Sequence, residues 1–142
     1  MRLFLDSWGW LALEDRKEHG HQAANRVYLE RRGKPGKIVT SDFVLDETFT
    51  RLFLRKPFDE AWRFVERLLR SAEAGFVSIE RVSGERFEAA LELRRRFRDK
   101  PGISFTDLSS MAIMRELGIS DVLTADRHFE QVGLGFRLYP GA

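Results

Sequence analysis

The chain contains no cysteine, so disulfide staples, thiolate metal sites and thiol nucleophiles are all excluded. Histidine is scarce: His19 and His21 share one polar stretch and His128 follows Asp126, which offers no obvious triad of imidazole ligands. No apolar run approaches the roughly 20 residues that a membrane-spanning helix requires. The opening Met1-Arg2-Leu3-Phe4-Leu5-Asp6 meets an acid too early for a secretory leader. There is no repeat, low-complexity tract or linker-like stretch, which leaves the expectation of one continuous domain over residues 1–142 in the cytoplasm. Without thiols, any metal must be held by oxygen or by these three histidines, and oxygen ligands favour Mg²⁺, Mn²⁺ or Ca²⁺.

What is present is a globular composition. Of 142 residues, 43% are apolar and 32% charged, enough for one sizeable core. The net charge of +2 is too small to announce a nucleic-acid partner, yet 19 of the 24 basic residues are arginine. A guanidinium pairs with phosphate through a planar fork.

Strands and helices alternate along the chain. Arg2-Leu3-Phe4-Leu5 reads as a buried strand ending at Asp6. Trp8 to Leu13 continues apolar, and Glu14-Asp15-Arg16-Lys17-Glu18 turns into solvent. A polar helix over 21–32 is broken by Gly33-Lys34-Pro35-Gly36, and Lys37 to Thr40 forms the second strand. Ser41 or Asp42 caps a helix running to about Arg55. Helical spacing of Ala61, Phe64, Val65, Leu68 and Leu69 marks 58–73, followed by a strand at Phe76 to Ile79 and a helix over 83–98. A helix over 105–117 stops at Gly118, where a left-handed cap belongs. Asp121 to Thr124 gives a fourth strand, Asp126 to Val132 a short helix, and Phe136 to Tyr139 a possible fifth strand. This alternation implies an α/β domain whose parallel sheet is covered on both faces.

Open parallel sheets bind ligands beyond the carboxyl ends of their strands. Asp6 and Asp126 fall at or just past such ends, Asp107 opens a helix returning to the sheet, and Glu47 lies early in the helix leaving strand two. Each has a second reading. Asp107 and Asp126 also complement a helix dipole, and spacing does not choose between Glu47 and Asp46. Asp6 is harder to dismiss, because an aspartate beside a buried strand is normally paired or ligated. If the four converge, carboxylates repel and some protonate unless a cation neutralises them. Four acids without Cys or His fit phosphoryl chemistry on nucleic acid better than peptide hydrolysis.

At these residues the chain resembles the PIN domain family, and within it the VapC-type toxins of toxin–antitoxin pairs. Leu3-Phe4-Leu5-Asp6-Ser7 is similar to the family's opening strand and first acid. Thr40 to Thr48 resembles its second segment, in which the glutamate is the functional acid, and this match selects Glu47. Ile103-Ser104-Phe105-Thr106-Asp107 with Ala112 resembles the third motif, and Asp121 to Asp126 followed by Phe129 the closing Thr-x-Asp-x-x-Phe motif. Each motif alone is weak; all four in order are specific. Trp8 and Trp10 are bulkier than the family often carries there.

The resemblance implies a three-layer α/β/α sandwich around a parallel sheet of four to five strands. It implies an endoribonuclease dependent on one or two Mg²⁺ or Mn²⁺ ions, held chiefly by Asp6, Asp107 and Asp126, with Glu47 ligating directly or through water. Ser7 and Thr124 would support the ligands by hydrogen bonds, although a hydroxyl after a strand is as often a helix cap. Such relatives often form homodimers and are silenced by an antitoxin protein. Arg51, Arg55, Lys56 and Arg127, with His128, are the candidates for phosphate contacts to RNA. The Arg94-Arg95-Arg96-Arg98 run reads rather as a solvated helix face paired with Glu88, Glu92 and Asp99.

Three rival enzyme or signalling classes fail on single positions. A haloacid-dehalogenase phosphatase needs an acid two residues after Asp6, where Trp8 stands. A receiver domain needs a late lysine, and the last is Lys100; a dinucleotide enzyme needs a glycine-rich turn, and Asp6-Ser7-Trp8-Gly9-Trp10 has one glycine. The remaining alternative is a PIN-fold regulatory, scaffold or RNA-processing protein that is not a toxin.

Overall fold

The structure is a computed structural model and describes residues 1–141. Five parallel strands form one sheet: β1 (Leu3–Leu5), β2 (Ile38–Ser41), β3 (Val77–Glu80), β4 (Asp121–Leu123) and β5 (Arg137–Tyr139), in the order β3-β2-β1-β4-β5. The chain begins at the centre, builds outward through β2 and β3, then crosses back to lay β4 and β5 on the other side of β1. That reversal opens a crevice at the carboxyl ends of β1 and β4. Leu5 stands opposite Leu123, so the residues that follow, Asp6 and Thr124, leave the sheet side by side.

Seven helices cover the sheet on both faces: α1 (Ser7–Glu14), α2 (His21–Arg31), α3 (Asp42–Arg55), α4 (Phe58–Glu73), α5 (Gly84–Arg96), α6 (Phe105–Leu117) and the short α7 (His128–Gln131). This is the α/β/α sandwich expected from sequence. Leu3, Phe4, Leu5, Val122 and Leu123 are fully buried, as apolar strands between two helical layers must be. Ser41, rather than Asp42, caps α3, its hydroxyl accepting from the Val44 N–H at 3.1 Å. Gly118 ends α6 at φ +69°, a backbone angle that only glycine adopts without strain.

Two features depart from the sequence reading. Residues 7–14 form α1, which periodicity did not announce because Ser7, Gly9, Trp10, Leu11 and Ala12 are buried together and leave no polar face. Gly9 makes that burial possible: a Cβ there would stand 2.7 Å from the Leu123 carbonyl oxygen, so α1 rests directly on the end of β4. The Arg94 guanidinium is not on a solvated face. It donates to the carbonyls of Ile103 (2.8 Å), Phe97 (2.6 Å) and Lys100 (2.6 Å), bracing the loop that leads into α6; Arg95, Arg96 and Arg98 are exposed.

At the opposite end of β4 lies a buried ion group. The Asp121 side chain is fully buried and accepts from Arg31 at 2.7 Å and Arg137 at 2.8 Å, each carboxylate oxygen taking one guanidinium.

Candidate active site

Asp6 is placed by two roles at once. It closes β1 and caps α1, its Oδ1 accepting from the Gly9 N–H at 2.9 Å, while Oδ2 accepts from the Thr124 hydroxyl. The residue is 4% exposed. Burial pushes its carboxyl up to about 7, helped by the charges of Asp126 and Glu47 and opposed by the hydrogen bonds from Thr124 and Gly9.

Asp107 lies in the first turn of α6, whose cap Ser104 accepts from the Asp107 N–H at 3.0 Å. Its carboxyl is driven up to about 9, first by burial, then by its hydrogen bond to Asp126 and the charges of Asp6, Asp126 and Glu47. Asp126 moves the other way. Burial raises it, but the hydrogen bonds from Asp107 and from the His128 N–H, which donates to Oδ1 at 2.9 Å, outweigh that and hold it below the ordinary carboxylate range. The two carboxyls titrate as a pair, with Asp107 pushed toward the protonated form and Asp126 toward the ionised one. Glu47 joins from α3, accepting from the Ser7 hydroxyl and lying 3.8 Å from Arg51.

Ligating atoms of Asp107, Asp126 and His128 all lie within 4.8 Å of one another, and among the described residues this is the one such group. Asp6 and Glu47 stand outside that tight set, coupled to it through their charges. The His128 Nδ1 is buried and lies 3.0 Å from Asp126 Oδ1, yet the contact is out of line and makes no hydrogen bond. No Lys or Arg pairs with Asp6, Asp107 or Asp126 among the described residues. Carboxylates that are crowded, desolvated and without a cationic partner, beside an unpartnered imidazole, form a donor set that suits a hard or borderline divalent ion.

The chain matches the PIN domain family over residues 3–134. The chain belongs to the PIN domain family. Among curated proteins it is 31% identical over 131 residues to the 23S rRNA-specific endonuclease VapC20 of Mycobacterium tuberculosis, covering 92% of this chain and 94% of that one. The crystal structure of that VapC20, a sarcin–ricin loop cleaving toxin, superposes with a TM-score of 0.78 at 30% identity, covering 92% of this chain and 95% of the other. Two more distant structures share the fold. One is VapBC2 from Rickettsia felis, bound to a DNA fragment from its promoter, with TM-score 0.68, 16% identity and 97% of each chain covered. The other is PAE2754 from Pyrobaculum aerophilum, with TM-score 0.63, 15% identity, and 97% and 89% covered.

Against that PIN scaffold, the structure brings Asp6, Glu47, Asp107 and Asp126 to one edge of the sheet, and links Ser7 to Glu47 and Thr124 to Asp6 by hydrogen bonds. Thr124 is also a turn residue, its oxygen accepting from the Asp126 N–H at 2.9 Å. Of the basic candidates, Arg51 lies 3.8 Å from Glu47. Arg127 is exposed and loosely paired with Glu130 at 3.5 Å. Lys56 is engaged elsewhere, with Asp15 at 3.6 Å and Glu60 at 3.8 Å, and Arg55 is exposed at the end of α3. His128 is the residue that sequence reasoning considered for phosphate rather than for metal. Its signal was the Asp126-Arg127-His128 spacing, which lets the aspartate accept the backbone N–H of the second residue on and so holds that residue's ring beside it.

Proposed function

We propose that this protein is an endoribonuclease that requires Mg²⁺ or Mn²⁺, and that it is the toxin of a type II toxin–antitoxin pair. One observation carries the nuclease reading: Asp6, Glu47, Asp107 and Asp126 converge at the crevice of the sheet, and among the described residues no Lys or Arg pairs with the three aspartates. A bound ion would relieve that repulsion, supply positive charge at a phosphodiester and acidify water. Asp107, Asp126 and His128 would hold it, with Asp6 completing the set. Glu47, oriented by Ser7, accepts the proton of the attacking water, and Thr124 fixes the Asp6 carboxylate. Arg127 and Arg51 stand at the rim where the RNA backbone would run.

The toxin reading is supported by the similarity to VapC20. Exposed apolar surface supports a protein partner, an antitoxin, and a homodimer: Leu54 is 81%, Phe58 65% and Trp62 47% exposed, with Phe58 and Trp62 stacked at 6.0 Å. Among the described residues no helix is long and apolar enough to cross a membrane.

The test is cleavage of a structured RNA pool in Mg²⁺, in Mn²⁺ and in EDTA, beside an Asp107→Asn control. Cutting that needs metal and falls at least about 100-fold in the variant is expected, more than the loss of a supporting residue costs. Equal cutting by both proteins would mean a contaminant. No cutting by either, with a thermal melt unmoved by Mn²⁺, would leave the scaffold alternative.

A further inference from the structure

Beside the acids lies a second cavity of about 700 Å³ that the nuclease reading does not use. Its walls come from four places: Trp8 on α1, the Glu18–Gly20 loop, Thr124, Ala125, Arg127 and Glu130 around the start of α7, and Phe136 to Gly141 on and after β5. It adjoins the acidic cluster, with Thr124 as the shared wall: Thr124 lines the cavity and donates to Asp6, and Arg127 on the same wall follows Asp126 directly.

The chemistry of these walls is unlike that of the crevice. Trp8, Phe136, Leu138 and Pro140 give apolar surface, and the polar wall is made by Glu18, His19 and the Arg127–Glu130 pair at 3.5 Å. The two tryptophans of the first helix differ in use. Trp10 is 3% exposed and its indole N–H donates to Thr40 Oγ1 at 3.0 Å, as a core residue does. Trp8 is half-buried, and its N–H has no partner among the described residues. Its ring edge is held against the Gly20 backbone, where a Cβ would stand 2.6 Å from Cζ2. A large aromatic, fixed in place and left with an open wall, is what stacking on a planar ligand requires. The Glu18 carboxylate and the His19 ring on the same wall offer polar partners to a base edge.

We propose that this cavity receives a nucleobase of the RNA next to the scissile phosphate, unstacked from its neighbours and laid against Trp8. The proposal rests on the nuclease reading and sharpens its substrate class. A base reaches such a cavity at least cost from a loop, bulge or single strand, because a base inside a duplex must first be unpaired and unstacked. Arg127, between the cavity and Asp126, takes the intervening phosphate. Recognition therefore combines one extruded base with metal-assisted hydrolysis of the adjacent bond.

The experiment uses the unsubstituted protein with adenosine 5′-monophosphate and with ribose 5-phosphate, neither of which has a phosphodiester bond to cut, following the Trp8 indole N–H resonance by NMR in Mg²⁺. The nucleotide is expected to shift that resonance and the base-free sugar phosphate to leave it in place. Trp8→Ala should weaken nucleotide binding about tenfold and Trp8→Phe should largely restore it. Because Trp8→Ala removes packing, Ala125→Leu provides a second variant: Ala125 is exposed, and the larger side chain fills the cavity from its rim. In that variant the nucleotide response should vanish while the Mn²⁺ shift of the melt persists. Equal responses to the two ligands, or an unchanged nucleotide response in Ala125→Leu, would overturn the proposal. If either result accompanied metal-dependent cutting of RNA, the nuclease reading would stand without it. If Mn²⁺ moved no melt and no RNA were cut, both readings would fall together.

Discussion

Two buried aspartates on neighbouring strands of this sheet meet opposite fates. Asp121 opens β4 and is neutralised by Arg31 and Arg137, one guanidinium per oxygen. Asp6 closes β1 and has only a hydroxyl and a backbone N–H, in sight of three other acids. Burying a carboxylate is costly in both places. At the amino end of the sheet the chain supplies the positive charge itself; at the carboxyl end no Lys or Arg among the described residues does so for Asp6. The difference separates a group that holds the fold together from one that, on the proposed reading, binds a cation.

The contrast is broken most strongly by removing the fixed counterion group. Asp121→Ala leaves Arg31 without its partner and should cost about 3 kcal/mol of stability, because a buried charge is then unmatched. Urea unfolding measures it. Metal-dependent cutting by the fraction that remains folded should be unchanged, and a selective loss of cutting would tie Asp121 to the chemistry.

A smaller effect follows from pH. Asp6 and Asp107 bind their protons more tightly when folded than when unfolded, so the stability they contribute is complete below the unfolded value of 3.8. It is lost as pH rises, through about 7 for Asp6 and about 9 for Asp107. Asp126 is lowered, so its contribution changes only below the ordinary carboxylate range and does not oppose this trend at neutral pH. In EDTA the melting temperature should therefore fall between about pH 5 and pH 8.5, and the shift given by Mg²⁺ should grow over the same interval. A metal-free melt that rises across that window would contradict the unrelieved cluster.

The mildest change is Thr124→Val, which removes the hydroxyl from Asp6 and from the Asp126 N–H while keeping the shape. Titration calorimetry with Mn²⁺ should show affinity weakened about 10-fold, the usual effect of a lost supporting hydrogen bond at a metal ligand. Unchanged affinity would make Thr124 a turn residue only.

The strands and most of the helices were legible because each carried a local signal: the breaker at 33–36, the stripe on α4, the glycine after α6. Asp6 was legible for a related reason, since an acid ending an apolar strand is exceptional. What was illegible depends on contacts between distant segments. Helix α1 has no polar face to reveal it, and its Gly9 makes sense only against the Leu123 carbonyl. Arg94 sits in a run of arginines that looks uniform, yet it alone of that run braces the loop before Asp107. Asp121 and Arg31 are 90 residues apart, and no period in the sequence connects them. Choosing Glu47 over Asp46 needed the family motif, because the helical wheel places either beside apolar neighbours.

The strand order has a consequence for synthesis. Two of the four acids, Asp6 and Glu47, lie in the first third of the chain, and the other two, Asp107 and Asp126, in the last. A chain whose synthesis has reached β3 carries only Asp6 and Glu47, and β4, the strand that completes the crevice beside β1, has still to be made. All four acids meet only after Asp126 has been added, so on the proposed reading an unfinished chain lacks a complete metal site.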